Sequence, residues 1–374
     1  MHAKKLLAYL LIILTVFLTA CGGPATDSWP ETGSGEHAIE SGSSAEQSSQ
    51  MPSDVQKSGG TLKVHFIDVG QADCILIQAP TGENMLIDAG NNDDKDTIVS
   101  YLNAQGVKKI DVLVGTHPHE DHIGSLDTVI DTFDIGKIYM PKATTTTRTF
   151  EDVLTAVRNK GLKITAAVGG TSINFSPDTK VEVLAPNSNE YKDLNNYSAV
   201  IKLIYGNVAF LFTGDAEHIS ETEMLAQNYN LKADILKVGH HGSNSSTTES
   251  FLAAVKPSYA VISVGKGNDY GHPHKEVLSR LFEADIEVYR TDESGTVVFT
   301  TDGEKIEVKT DKDKVEMGGN TQPTKDDITV YISKTGKKYH VEECNLLGKN
   351  KMPVKLSEAK EKGYEPCKNC KPPQ

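Results

Sequence analysis

Ile110-Asp111-Val112-Leu113-Val114-Gly115-Thr116-His117-Pro118-His119-Glu120-Asp121-His122-Ile123-Gly124 is the stretch on which the fold turns. Ile110 to Val114 reads as a buried strand, and the chain passes from it straight into three imidazoles and a carboxylate. Imidazole and carboxylate together suit zinc or a similar divalent ion. In an extended turn, His117 and His119 project to one side while Asp121 and His122 reach a point further on. That layout suits two adjacent metals. A solvated histidine-rich loop is the alternative; a single His would favour it, but four potential ligands packed into His117 to His122 do not.

Three further motifs follow the same plan, each polar group standing at the tip of an apolar strand. Phe212-Thr213-Gly214-Asp215 carries a carboxylate able to bridge two cations, and Gly214 lets the backbone approach closely. Alone it is weak, since a strand-end aspartate is often a helix N-cap. Lys237-Val238-Gly239-His240-His241-Gly242-Ser243 and Tyr270-Gly271-His272-Pro273-His274 add imidazoles. Isolated histidines are usually structural or exposed, but these recur at strand ends, where open α/β sheets present their sites.

In this order the motifs resemble the metallo-β-lactamase superfamily. Phe66-Ile67-Asp68-Val69-Gly70-Gln71-Ala72-Asp73, Leu86-Ile87-Asp88-Ala89-Gly90 and Tyr-Gly-His-Pro-His look like the branch that contains the hydrolase domain of the competence protein ComEC. The resemblance runs from about Gly59 to Lys309 and implies a four-layer αββα sandwich with two divalent metals, zinc or manganese, at the strand edge. It implies that His117 and His119 bind one metal. Asp121, His122 and one of His240 and His241 would bind the other, with Asp215 bridging. Asp88 would support the histidine loop from behind. Asp121, His241 and His272 are the candidate catalytic residues: Asp121 as a ligand, and His272 with whichever of His240 and His241 is left free as groups facing the substrate. Those imidazoles would hydrogen-bond a non-bridging oxygen or protonate a leaving alkoxide. Many members carry a further metal-binding His between the two metal motifs, but here no His occurs between His122 and His218. The matching stretch, Leu194-Asn195-Asn196-Tyr197-Ser198, offers Asn196 as a supporting residue, which implies either a more weakly held first metal or an oxygen-rich coordination such as manganese accepts. Two cations about 3.5–4 Å apart would acidify a water and clamp a phosphoryl group, so no Ser or Cys nucleophile is needed.

Outward from the motifs, short apolar runs at 62–67, 74–77 and 85–87 predict three strands, and 96–105 a helix stopped by Gly106. A helix near 150–160 and strands near 181–184, 199–205 and 208–213 come next. Helix 219–228, strands 235–238 and 260–264, helix 275–283 and strands 287–289 and 296–299 complete the pattern. These strands are too many for one small parallel sheet, so two packed sheets covered by helices are expected.

Before this region, Lys4 and Lys5 precede an apolar stretch, Leu6 to Leu18, that is too short to span a bilayer. It ends Leu18-Thr19-Ala20-Cys21, which looks like a bacterial lipobox, so 1–21 is read as a lipoprotein signal with Cys21 as the lipidated residue. An ordinary cleaved signal or an uncleaved anchor is the alternative. Residues 22–58 are rich in Ser, Gly and Glu and read as a flexible tether. The hydrolase region is placed at 59–310 and a second polar linker at 311–325.

Residues 326–374 read as a small separate domain, of a size that usually needs a metal or disulfide. His340, Cys344, Cys367 and Cys370 form a reasonable tetrahedral set for one structural zinc. A Cys367–Cys370 disulfide is the alternative. The segment from Tyr331 to Pro372 resembles the small Ada-like zinc module, which is often attached to bacterial nucleases.

The formal net charge of −13 argues against a nucleic-acid binder, but from Lys325 onward 11 Lys stand against 7 Asp plus Glu. That basic tail either contacts phosphates or is a solvated face. The sequence is therefore read as a monomeric, extracytoplasmic, lipid-anchored phosphodiesterase acting on DNA or another phosphodiester polymer. A phosphorylcholine-type esterase acting on cell-wall polymers is the second reading, and a non-catalytic binding lipoprotein the third. A β-lactamase ranks last, because the usual third His and the second-site Cys are missing.

Overall fold

The computed structural model describes residues 59–312, 329–333, 336–341, 344, 346–347 and 351–372. The signal with Cys21, the tether 22–58 and most of the linker 311–325 lie outside the described residues.

Alternation of apolar residues sets the strands, and the strands form two sheets. The first contains β1 (Leu62–Phe66), β2 (Ile75–Gln78), β3 (Asn84–Ile87), β4 (Lys109–Val114), β5 (Asp134–Met140) and β6 (Ile164–Ala166). The second contains β7 (Thr171–Ile173), β8 (Thr179–Ala185), β9 (Val200–Tyr205), β10 (Val208–Phe212), β11 (Ile235–Lys237), β12 (Tyr259–Ile262) and β13 (Glu287–Arg290). The chain then returns to the first sheet with β14 (Val297–Thr301) and β15 (Ile306–Thr310), giving the orders β15-β14-β1-β2-β3-β4-β5-β6 and β13-β12-β11-β10-β9-β8-β7.

The period of two decides which residues meet between the sheets. Leu62, Val64 and Phe66 of β1 share one core with Val181, Ile201, Phe210, Phe212 and Phe299. Within it the Phe66 ring lies 6.0 Å from Phe212 and 5.9 Å from Phe299. The alternate residues face outward. Leu76, Leu86 and Leu113 pack with residues of α1 (Lys95–Ala104), α3 (Leu126–Thr132) and α4 (Arg148–Asn159); the single-turn α2 (Glu120–Ile123) precedes α3. Leu211, Leu236 and Ala260 pack with α5 (His218–Ala226), α6 (Glu249–Val255) and α7 (Lys275–Glu283). Helix, sheet, sheet, helix: the expected four-layer sandwich is present. Burial of each large apolar side chain here contributes roughly 1.5–3 kcal/mol.

The expected elements recur with shifts of a residue or two at their ends, while α3, α6, β5, β6, β7 and β15 were not anticipated. Three of those strands, β6, β7 and β15, are sheet edges. Edge strands such as Ile306–Thr310, with Glu307 and Lys309 exposed, bury little and carry a weak pattern. In β5, Gly136 and Lys137 break the alternation.

Functionally, the direction of the strands matters most. β3, β4 and β5 run parallel, as do β10, β11, β12 and β13. The loops after β3, β4, β10, β11 and β12 carry Asp88, the histidine segment, Asp215, the His240–His241 pair and His272. All leave the carboxyl ends of their strands, and so they meet.

The C-terminal part forms its own four-stranded sheet. Its strands are β16 (Thr329–Ile332), β17 (Lys338–His340), β18 (Met352–Lys355) and β19 (Glu365–Pro366), in the order β18-β16-β17-β19. Val330, Ile332, Tyr339 and Val354 pack there with Leu356 and Ala359 of α8 (Leu356–Glu361).

Candidate metal centre

Asp88 organises the histidine segment. It leaves β3 with φ +60°, a left-handed conformation held by its backbone N–H donating to Val114 at 2.8 Å. Its carboxylate accepts from Thr116 N–H and Thr116 Oγ1, both at 2.7 Å, and lies 2.8 Å from His122 Nδ1. Because a carboxylate there accepts, His122 Nδ1 carries the proton and Nε2 is left with its lone pair. The Thr116 hydroxyl has its own proton committed to Asp88, so it accepts from His117 Nδ1 at 3.2 Å. His117 Nε2 is thereby also freed. The α2 turn is pressed against the Asn91 loop so closely that a Cβ on Gly124 would come within 2.2 Å of Asn91 C.

The freed nitrogens converge. His122 Nε2 lies 3.2 Å from Asp215 Oδ1, and His117 Nε2 lies 3.0 Å from His119 Nδ1 and 4.0 Å from Asp215 Oδ2. His241 Nδ1 donates to the Ser263 carbonyl at 2.8 Å, which turns Nε2 to 3.2 Å from Asp121 Oδ2 and 3.6 Å from Asp215 Oδ2. Asp121, His122, Asp215 and His241 each offer one ligand atom, and those atoms all lie within 4.8 Å of one another. His122 Nε2 and Asp215 Oδ1 are buried without a hydrogen-bond partner, although they stand at ion-pair distance. Buried polar atoms are rarely left so, and two facing lone pairs are what a cation between them would satisfy. The residues fit a divalent ion.

The charge states agree with that fit. Burial, helped by His122, keeps His117 well below the ordinary imidazole range and hence neutral. Burial alone would raise the Asp215 carboxyl, but His122 and His241 outweigh it and hold it ionised. Burial likewise opposes a charge on His122, yet Asp215, Asp88 and Asp121 raise it well above its usual value, so without a cation these carboxylates draw onto Nε2 a proton that a bound cation would displace. The cluster is short of positive charge.

Geometry separates the adjacent histidines. Both adopt left-handed backbone angles, His240 at φ +48° and His241 at φ +52°. Gly242 follows at φ +84°, where a Cβ would lie 2.5 Å from Pro273 Cβ. This tight turn sends His241 inward, 2% exposed, while His240 stays at the rim. His240 Nδ1 lies 3.3 Å from Glu217 Oε1, and its Nε2 3.8 Å from Asp215 Oδ2. His241, with both nitrogens engaged, is not the free imidazole. His272 is half-buried at 5.5 Å ring distance from His240, and its Nδ1 has no hydrogen-bond partner. Burial, then His240, His241 and His274, push its pKa down to about 4. Asn196 Nδ2 donates to Glu217 Oε2 at 3.1 Å, and its Oδ1 accepts from Ser220 N–H at 3.2 Å, so both ends of the amide face the α5 start. Ser198 Oγ instead approaches His117 Nδ1, at 3.3 Å, and accepts from Asp215 N–H.

Two residues behind the cluster were missed from sequence. Lys237, wholly buried at the end of β11, places Nζ 2.8 Å from Asp73 Oδ2. Asp73 N–H in turn donates to the Asp121 carbonyl at 3.0 Å, tying the two ligand loops together. A lone lysine in the apolar run Ile235-Leu236-Lys237-Val238 was the available signal. A surface hollow of about 400 Å³ between α6 and α7, lined by Leu252, Lys256 and Arg280, contains none of these groups.

In the C-terminal sheet, His340, Cys344, Cys367 and Cys370 bring their ligand atoms within 4.8 Å. All three thiols are free, so the Cys367–Cys370 disulfide is not formed. Cys344 Sγ lies 3.1 Å and Cys370 Sγ 3.8 Å from His340 Nδ1. The set is consistent with a small zinc module.

The family model for the Metallo-beta-lactamase superfamily matches residues 67–266, more than half of the chain. The chain belongs to the metallo-β-lactamase superfamily. Residues of this chain are 34% identical to ComE operon protein 3 of Bacillus subtilis over 63% of the chain and 33% of that protein. They are 33% identical to Competence protein ComA of Neisseria gonorrhoeae over 62% and 31%, and 29% identical to Recombination protein 2 of Haemophilus influenzae over 68% and 31%. These matches put this superfamily member in the ComEC-like branch. The matched region is about a third of the length of each curated relative. Members of that superfamily are metal hydrolases.

Proposed function

We propose that the chain is a phosphodiesterase, most plainly a DNase, working with two divalent ions, zinc or manganese. The observation that supports this is the convergence of Asp121, His122, Asp215 and His241 on one point, with His117 Nε2 4.0 Å from Asp215 Oδ2 and 3.0 Å from His119 Nδ1. Under this reading Asp215 bridges, His117 and His119 hold one ion, and Asp121, His122 and His241 hold the second. When bound, such a pair supplies Lewis acidity to a phosphoryl group and an acidified water. The chain's own residues then orient and neutralise. Asp88 and Thr116 fix the tautomers of His122 and His117, the Ser263 carbonyl fixes that of His241, and Glu217 steadies His240 at the rim. His240 and His272 stand where a substrate would arrive, and neutral His272 offers a hydrogen bond to a phosphoryl oxygen. Relatives named for competence and recombination support DNA as the phosphodiester. Attachment outside the cytoplasmic membrane through Cys21, as a monomer, belongs to the same proposal and rests on the sequence pattern.

The test is to load the chain with zinc or manganese and offer single-stranded DNA, a bis-aryl phosphate and an aryl phosphorylcholine. DNA cleavage that falls at least ~100-fold in Asp121→Ala, together with loss of one bound metal, is the expected result. Turnover of phosphorylcholine alone would replace the reading with an esterase, and metal uptake without turnover would leave a binding protein.

A further inference from the structure

The loop after β12 carries an aromatic side chain for which the fold has no use. Tyr270 is 68% exposed, the largest exposure among the described large hydrophobic side chains. Single exposed apolar residues are ordinary; the placement of this one is not. Its ring stacks on His272 at 5.7 Å and 24°, and His272 stacks on His241 at 6.5 Å and 24°. Three near-parallel rings therefore step from the candidate metal cluster to the surface, and Tyr270 is the outermost.

The step is held rigid from below. Asn268 Oδ1 accepts from Tyr270 N–H at 3.2 Å and from His272 N–H at 3.0 Å. Asn268 Nδ2 donates to the carbonyls of Gly265 at 2.9 Å and His272 at 2.7 Å. Gln71 Oε1 anchors the loop start by accepting from Gly265 N–H at 3.0 Å. With the backbone that carries the ring fixed in advance, less freedom is lost when a partner covers it.

We propose that Tyr270 is a stacking platform for a nucleobase next to the phosphate held at the cluster, so that the substrate class is a single-stranded, base-bearing phosphodiester. This rests on the phosphodiesterase reading above. Only an unpaired, unstacked base has a face to offer, because in a duplex both faces are covered by neighbours. Aromatic stacking accepts any base, so the platform requires no base-edge reader. A quaternary ammonium group would instead ask for a cage of several rings, and here the neighbour of Tyr270 lies stacked behind it.

The experiment uses the full chain, metal-loaded, and an oligothymidylate carrying one 2-aminopurine, whose fluorescence is quenched on stacking. Wild type and Tyr270→Phe should bind and quench alike, and Tyr270→Ala should bind about 5- to 150-fold more weakly. An oligonucleotide with an abasic residue at that position should bind wild type as weakly as Tyr270→Ala binds the intact one, with no further loss in the variant. Equal binding of intact and abasic strands by wild type, which requires no variant to fold, would overturn the inference, as would tight choline binding that depends on Tyr270. Hydrolysis of the same strands is scored separately. Ring-dependent binding without hydrolysis would overturn the phosphodiesterase reading and leave the platform standing, whereas hydrolysis and binding indifferent to the ring would overturn the platform alone.

Discussion

Lys237→Met is the most informative perturbation of the frame behind the cluster. Lys237 and Asp73 are wholly buried and paired at 2.8 Å, and Lys237 Nζ also donates to the Val238 carbonyl at 2.9 Å. Methionine preserves the length of the side chain and removes its charge. Asp73 would then keep only the longer approaches of His241 Nδ1 at 3.6 Å and His122 Nδ1 at 3.9 Å, whose protons already serve Ser263 and Asp88, within a cluster that holds Asp88, Asp121 and Asp215. Breaking one side of a buried pair costs about 3–5 kcal/mol, while replacing both sides with neutral groups is often close to neutral. Urea unfolding of the metal-free chain should show Lys237→Met losing that amount and Asp73→Asn/Lys237→Met recovering most of it. Far-UV circular dichroism is the proper probe, because the single tryptophan, Trp29, lies outside the described residues. A Lys237→Met protein within ~1 kcal/mol of wild type, or a double variant as unstable as the sum of the singles, would refute the reasoning.

Other outcomes follow from the same geometry. Gly242→Ala meets both a positive φ and Pro273 Cβ at 2.5 Å, so it should lose roughly 2–3 kcal/mol and weaken metal uptake at the histidine turn, measured by melting and elemental analysis. Cys367→Ser should remove one zinc equivalent and expose the remaining tail thiols to a thiol reagent, while hydrolysis by the sandwich is unchanged. His65 is buried against Tyr101 Oη at 2.9 Å, and burial, then Lys63, lowers its pKa from 6.5 to about 4. Between pH 6.5 and 4 the unfolded chain therefore binds the extra proton. The neutral folded form has its full stability above pH 6.5, loses about 2–3 kcal/mol as pH falls to 4, and His65→Gln should flatten that slope in urea titrations at each pH.

How much of this was legible in the chain alone depends on distance along it. His117, His119, Asp121 and His122 sit within six positions, so their shared chemistry needs no knowledge of tertiary structure. The inner strands were equally plain, because Leu62, Val64 and Phe66 or Phe210 and Phe212 alternate as a buried pleat requires. The edge strands β6, β7 and β15 were not, since an edge buries too little to impose a pattern.

What only the tertiary structure decided are relations between distant loops. The sequence presents His240 and His241 as equals; a turn with two left-handed residues and Gly242 against Pro273 sends one inward and leaves the other at the rim. Asp73 and Lys237 are separated by more than 160 positions, and their pairing appears only when two sheets stack in register. Stacking of Tyr270 on His272 and His241 has the same origin. Local periodicity encodes which face a residue takes, but which loop it meets is set by the packing of one sheet on the other.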